Sequence, residues 1–82
     1  MRGNLFRGMS TITLHNNIRV LRAALRMTQA ELALRVGSSR QTILSIESGQ
    51  TIPSTVLAFK IAKALKVPVT EAFEMEGELV PV

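Results

Sequence analysis

Gln29 to Ser48 run QAELALRVGSSRQTILSIES, with Thr28 before them and Gly49 after. Thr28 and Glu31 stand at capping-box spacing: the hydroxyl accepts from the Glu31 amide, and the Glu31 carboxylate reaches back to the Thr28 amide. A helix therefore starts at Gln29. It buries Leu32, Ala33 and Val36 and stops at Gly37, which takes the positive φ of a helix end without steric penalty. Ser38-Ser39 offers a second N-cap. The next helix is predicted from Arg40 to about Ser48, burying Ile43 and Ile46 and ending at Gly49. About three residues between the two helices force a sharp corner, the helix-turn-helix arrangement. Ala33 sits where the helices cross, Gly37 at the corner, and Ile43 drops into the shared core.

Working outward, Ile18, Leu21, Ala24 and Leu25 recur at i, i+3, i+6 and i+7, one face of an earlier helix with Asn16 or Asn17 as N-cap. Arg19, Arg22 and Arg26 lie off that stripe. Ile52-Pro53-Ser54 is a break followed by a cap. A fourth helix, Thr55–Leu65, places Leu57, Ala58, Ile61, Ala62 and Leu65 on one side. Lys66-Val67-Pro68-Val69 ends it, and Thr70 caps a fifth, Glu71–Met75, whose Phe73 closes the core. The expected fold class is all-α: a compact five-helix domain over residues 14–76, with no strand needed in its body. Residues 1–13 are expected as a flexible N-terminal arm, with Met9 as an alternative start. Within the arm, Thr11-Ile12-Thr13-Leu14 alternates as a strand added to a partner chain would. Residues 77–82 are a C-terminal tail, with fraying expected from Glu76.

At 82 residues the chain holds one domain, and a large catalytic cleft with its own cofactor domain is excluded. Cysteine is absent, which removes disulfides, thiolate zinc sites and cysteine nucleophiles and fits a reducing compartment. His15 is the only histidine, with no acid or thiol beside it, and no glycine-rich phosphate loop is present. No enzyme activity, metal or cofactor is expected. No run approaches the ~20 apolar residues of a membrane span, and the basic N-terminus lacks the apolar core of a secretory signal. A cytoplasmic protein is expected. All ten Lys and Arg fall in residues 1–66, with only Glu31 and Glu47 as acids there; the other four acids are Glu71, Glu74, Glu76 and Glu78. A positive field this concentrated points to a polyanionic partner, with a plain solvated surface as the alternative.

Residues 18–75 resemble the helix-turn-helix DNA-binding family of phage repressors, Cro proteins and small bacterial regulators. The resemblance rests on IRVLRAALRMTQAELALRVG, SSRQTILSIESG, IPS and FKIAKALKVPVTEAF. It implies a lambda-repressor-like domain that binds double-stranded DNA on the nucleoid, with the third helix in the major groove. Arg40, Gln41, Thr42 and Ser45 then fall at base-contacting positions; Arg suits guanine and Gln suits adenine. Gln29, Ser39, Arg19, Ser48 and Gln50 fall at phosphate-contacting positions, through the backbone near Ser48–Gln50. Gln29 also braces the recognition helix, and Arg22 and Glu47 match a buried ion pair.

The family reading further implies a repressor acting as a homodimer on paired half-sites roughly 34 Å apart. Its dimer surface would be helix five, Val67 and Val69, with Val56 and Phe59 either joining it or packing in the core. Arg2 and Arg7 of the arm would reach a minor groove. Several positions depart from the family pattern. Arg26 stands where glycine is frequent, Ser38 where an apolar residue follows the corner, Ser48 in place of Asn, Gln50 in place of Lys, and Leu44 where a polar residue is common. The rival reading is a protein-interaction module of the same fold, such as an antitoxin or a bridging factor.

Overall fold

The computed structural model describes residues 12–80, so Thr11 and the arm residues Arg2, Arg7 and Met9 lie outside the described residues. Within 12–80 the order is β1 (Thr13–Asn16), α1 (Ile18–Ala24), α2 (Gln29–Val36), α3 (Arg40–Glu47), α4 (Thr55–Ala64), α5 (Val69–Ala72) and β2 (Phe73–Glu76). Five helices are present as the sequence implies, but the fold is not purely helical. β1 and β2 pair antiparallel, with Asn16 opposite Phe73 and Thr13 opposite Glu76.

The two strands correct two expectations. Thr13 and Leu14, at the end of the alternating segment, pair with this chain's own C-terminal strand. The fifth helix is Val69–Ala72, with Pro68 rather than Thr70 at its N-cap position; Phe73 is already extended at φ −131°, ψ 142°. So short a helix leaves most of its backbone groups unpaired, and β1 supplies partners for the residues beyond it. Phe73 still closes the core, at 8% exposure, but from a strand. Ordered chain thus runs through Glu76 as part of a sheet rather than as a frayed end.

The core is Ile18, Leu32, Ala33, Val36, Ile43, Ile46, Ile61, Ala62, Leu65, Ala72, Phe73 and Met27. Leu57 and Ala58, expected inside, are half-buried at its margin. The α1 stripe is shorter than its periodicity suggests. The helix ends at Ala24, and Arg26 adopts φ 54°, the left-handed conformation the family usually gives to glycine. The chain therefore turns away: Ala24 and Leu25 are exposed, and Met27 takes the buried place. Lys66, at φ 64°, turns the chain after α4 in the same way.

Caps fix the remaining helix starts. Thr28 and Glu31 form both bonds of the capping box, each 3.0 Å. Ser39 accepts from the Thr42 amide at 3.0 Å and Ser54 from the Leu57 amide at 3.1 Å. Gly37, at φ 69°, ends α2 and makes the corner. At the start of α1, Asn17 makes no side-chain cap; the Asn16 side chain accepts from the Ile18 amide at 3.2 Å instead. Asn17 clamps α1 to α5 by donating its backbone N–H to Ala72 at 2.9 Å and its side-chain amide to the Glu71 carbonyl at 3.0 Å.

Candidate nucleic-acid interface

α3 is amphipathic, and its neighbours hold it with one edge outward. Ile43 and Ile46 are buried, whereas Arg40, Gln41 and Leu44 are exposed. Ser39 satisfies the Thr42 amide through its hydroxyl and the Ile43 amide through its carbonyl (3.2 Å). The Arg40 and Gln41 amides stay without an intramolecular acceptor among the described residues. The leading end of α3 therefore presents two polar side chains, free N–H groups and the positive end of the helix dipole, a combination suited to an anionic partner. Thr42 and Ser45 are half-buried, and the Thr42 hydroxyl lies 2.9 Å from that of Ser39.

The other end of α3 is tied to two helices and the strand β1. The Glu47 carboxylate accepts from Arg22 Nε at 2.6 Å, from Arg22 Nη2 at 3.1 Å and from Gln29 Nε2 at 3.0 Å. Arg22 Nη1 donates to the Met27 carbonyl at 2.9 Å, and the Asn16 side-chain amide donates to the Ile46 carbonyl at 3.0 Å. Only 13% of the Arg22 side chain and 5% of that of Glu47 is exposed. Burial pushes the Glu47 carboxyl up. Hydrogen bonds from Arg22 and Gln29 and the charges of Arg22 and Arg19 outweigh it and hold the group below its ordinary value. Glu47 is thus held as an anion, gripped by Arg22 of α1 and Gln29 of α2 at the end of α3.

The predicted site residues divide by what they do in the free protein. Arg40, Gln41, Arg19 and Gln50 have exposed side chains. Gln29 reaches inward to Glu47 and keeps its second amide hydrogen. Ser39 caps α3. The backbone expected to meet phosphate after α3 is occupied. The Ser48, Gly49, Gln50 and Thr51 amides donate to the carbonyls of Leu44, Ile46, Ser45 and Ser45, and the Ser48 hydroxyl donates to Ser45 as well. Orphan carbonyls at a helix C-terminus attract such donors, and the negative end of the dipole disfavours a phosphate there. Any contact at Gln50 thus falls to its side chain. Asn16 is the residue that sequence reasoning missed: it reads as a cap, and nothing local shows that its amide reaches α3.

This arrangement has counterparts among known proteins. The profile of the helix-turn-helix family matches residues 18–71. The chain belongs to the helix-turn-helix family. A helix-turn-helix relative from Methanocaldococcus jannaschii, an uncharacterised transcriptional regulator, is 44% identical over 63 residues, covering 77% of this chain and 96% of the relative. Two solved helix-turn-helix structures superpose well. The restriction-modification controller protein C.AhdI from Aeromonas hydrophila is 35% identical with a TM-score of 0.63, over 66% of this chain and 82% of its own. A Bacteroides fragilis protein assigned as DNA-binding is 29% identical with a TM-score of 0.69, over 76% of this chain and all of its own.

Proposed function

We propose that the chain is a transcriptional regulator that binds double-stranded DNA sequence-specifically, as a homodimer, and represses by occupying an operator. The observation that supports this most is the free leading end of α3, outward at Arg40 and Gln41 and braced from behind through Glu47. In this reading α3 enters the major groove. Arg40 and Gln41 read base edges, with Thr42 and Ser45 beside them; each bidentate pair contributes ~1–3 kcal/mol of discrimination. Arg19, Ser39 and the side chains of Gln29 and Gln50 approach phosphates, whereas Ser48, with its amide and hydroxyl hydrogens both given to α3 carbonyls, is left out of this contact. The target places its work in the cytoplasm, on the nucleoid.

One recognition helix touches too few bases for useful specificity, so a second copy doubles the readout. Val56 and Phe59 are 64% and 57% exposed, so they are not core residues and are available to such a dimer. Val67 and Val69 are half-buried against the core. Titration of the protein onto random duplex DNA at two salt concentrations tests the reading. Affinity should fall steeply with salt, because each phosphate contact releases counterions. Selection from a random duplex pool should then return a two-fold symmetric site. Absence of binding at low salt would instead favour the protein-interaction module.

A further inference from the structure

A second basic surface lies away from the residues assigned to DNA. Arg35 near the end of α2 and Lys60 and Lys63 on α4 surround an open hollow of about 530 Å³, whose walls include Leu34, Gly37 and Ala64. None of Arg40, Gln41, Gln29 or Arg19 lines it. Among the described residues, no carboxylate comes within ion-pair distance of Arg35, Lys60 or Lys63. Arg35 shares its charge with Glu31 one turn back, whereas Lys60 and Lys63 have no such partner among the described residues, and the field of the three cations attracts an anion. A bare phosphate would not explain the rim, where Leu34 is 82% exposed. The hollow suits a peptide that carries acids and an apolar side chain together.

The chain contains such a peptide. Residues 74–80 read Glu74-Met75-Glu76-Gly77-Glu78-Leu79-Val80. Glu76 is engaged by His15 at 2.5 Å, whereas Glu78 has no ion-pair partner among the described residues. Leu79 and Val80 are 73% and 50% exposed. We propose that the hollow between α2 and α4 seats the Glu78-Leu79-Val80 segment of a second copy of this chain. The glutamate meets Lys60 and Lys63, and Leu79 lies against Leu34. The contact needs a second copy, as the proposed dimer does; its hollow is not lined by Val56 or Phe59, although Lys60 and Lys63 share the exposed face of α4 with them.

The absence of native cysteine makes a direct test available. Full-length Leu34→Cys and Leu79→Cys proteins, both substituted at exposed positions, are mixed and oxidised. A disulfide joining one of each is expected as the main product. It should fall about tenfold when salt rises from about 0.05 M to about 0.5 M, since the contact relies on charge. Lys60→Glu with Lys63→Glu in the first protein should abolish it, and Glu78→Lys in the second should restore it. Mixed proteins that stay uncross-linked while sedimentation shows a dimer sensitive to Phe59→Asp would overturn this inference and leave the dimer reading standing. A disulfide that forms only within a single chain carrying both cysteines would mean that the hollow holds its own tail, and would overturn it equally. Cross-linking that persists through Phe59→Asp would support the hollow as a contact independent of the α4 dimer.

Discussion

Replacing Glu47 with Ala removes the anion on which Arg22 and Gln29 converge. Three hydrogen bonds disappear, two of them from a guanidinium that is 13% exposed. Breaking one side of a buried pair typically costs ~3–5 kcal/mol, because the remaining charge is stranded. Arg22 keeps its bond to the Met27 carbonyl and some access to water, so the lower end applies: about 3 kcal/mol. A domain of this size has roughly 4–10 kcal/mol in total, so the variant should lose between about a third and three quarters of its stability. The chain has no Trp or Tyr, so urea unfolding is best followed by circular dichroism. The midpoint should drop at unchanged m-value. Replacing Arg22 and Glu47 together with Leu should recover most of the loss, since an apolar pair avoids the desolvation penalty.

Acid should reveal the same group. Because the folded-state pKa of Glu47 is lowered, its contribution is whole above the unfolded value of about 4.3 and is lost as pH falls through the lower folded value. Glu31 acts with the same sign, through the backbone and hydroxyl of Thr28. Glu47→Gln should therefore flatten the decline of stability below about pH 4.3 relative to the wild type. A Glu47→Ala protein within 0.5 kcal/mol of wild type, about the scatter of neutral surface changes, would refute the brace.

Other expectations follow from the same geometry. Arg40→Ala and Gln41→Ala should each relax base preference at one position by ~1–3 kcal/mol without changing the urea midpoint, read by selection from a random duplex pool. A Cβ at Gly37 would meet nothing within 4 Å, so Gly37→Ala should lose only about 1–2 kcal/mol from its φ of 69°, and Gly37→Asn less, by thermal unfolding. Conversely, Arg26→Gly should raise the melting temperature, because φ 54° is relieved there, although added freedom in the unfolded chain offsets part of the gain. A chain beginning at Asn17 loses β1 and the Asn16 bond to α3, and should melt lower than one beginning at Met9, which keeps both.

What could be read from the residues depended on how local the signal was. The α2–corner–α3 unit was legible because Thr28, Glu31, Gly37 and Ser39 act within a few positions of themselves. Those caps and the buried Leu32, Ala33, Val36, Ile43 and Ile46 lie where their spacing put them. The ribbon was only half legible. Thr11–Leu14 alternates, but the strand Thr13–Asn16 finds its partner some sixty residues on, and Phe73–Glu76 taken alone fits a helix turn as well as a strand. α1 misled for a related reason: Leu25 continues the stripe, yet the helix ends at Ala24, ahead of the left-handed turn at Arg26. On the candidate interface, Arg22 meeting Glu47 came from the family resemblance rather than from periodicity. The Asn16 contact to Ile46 arises only once the end of β1 meets the end of α3, and no spacing within the sequence encodes it.

The ribbon has a consequence for how the domain can be wired. Because Thr13 faces Glu76 across an antiparallel pair, the polypeptide enters and leaves at one spot. A tag, a fused domain or a tether added at either side would emerge from the same corner. A short glycine linker could also join the two sides, with new termini opened near Pro53, and such a circularly permuted chain should keep the same arrangement of helices.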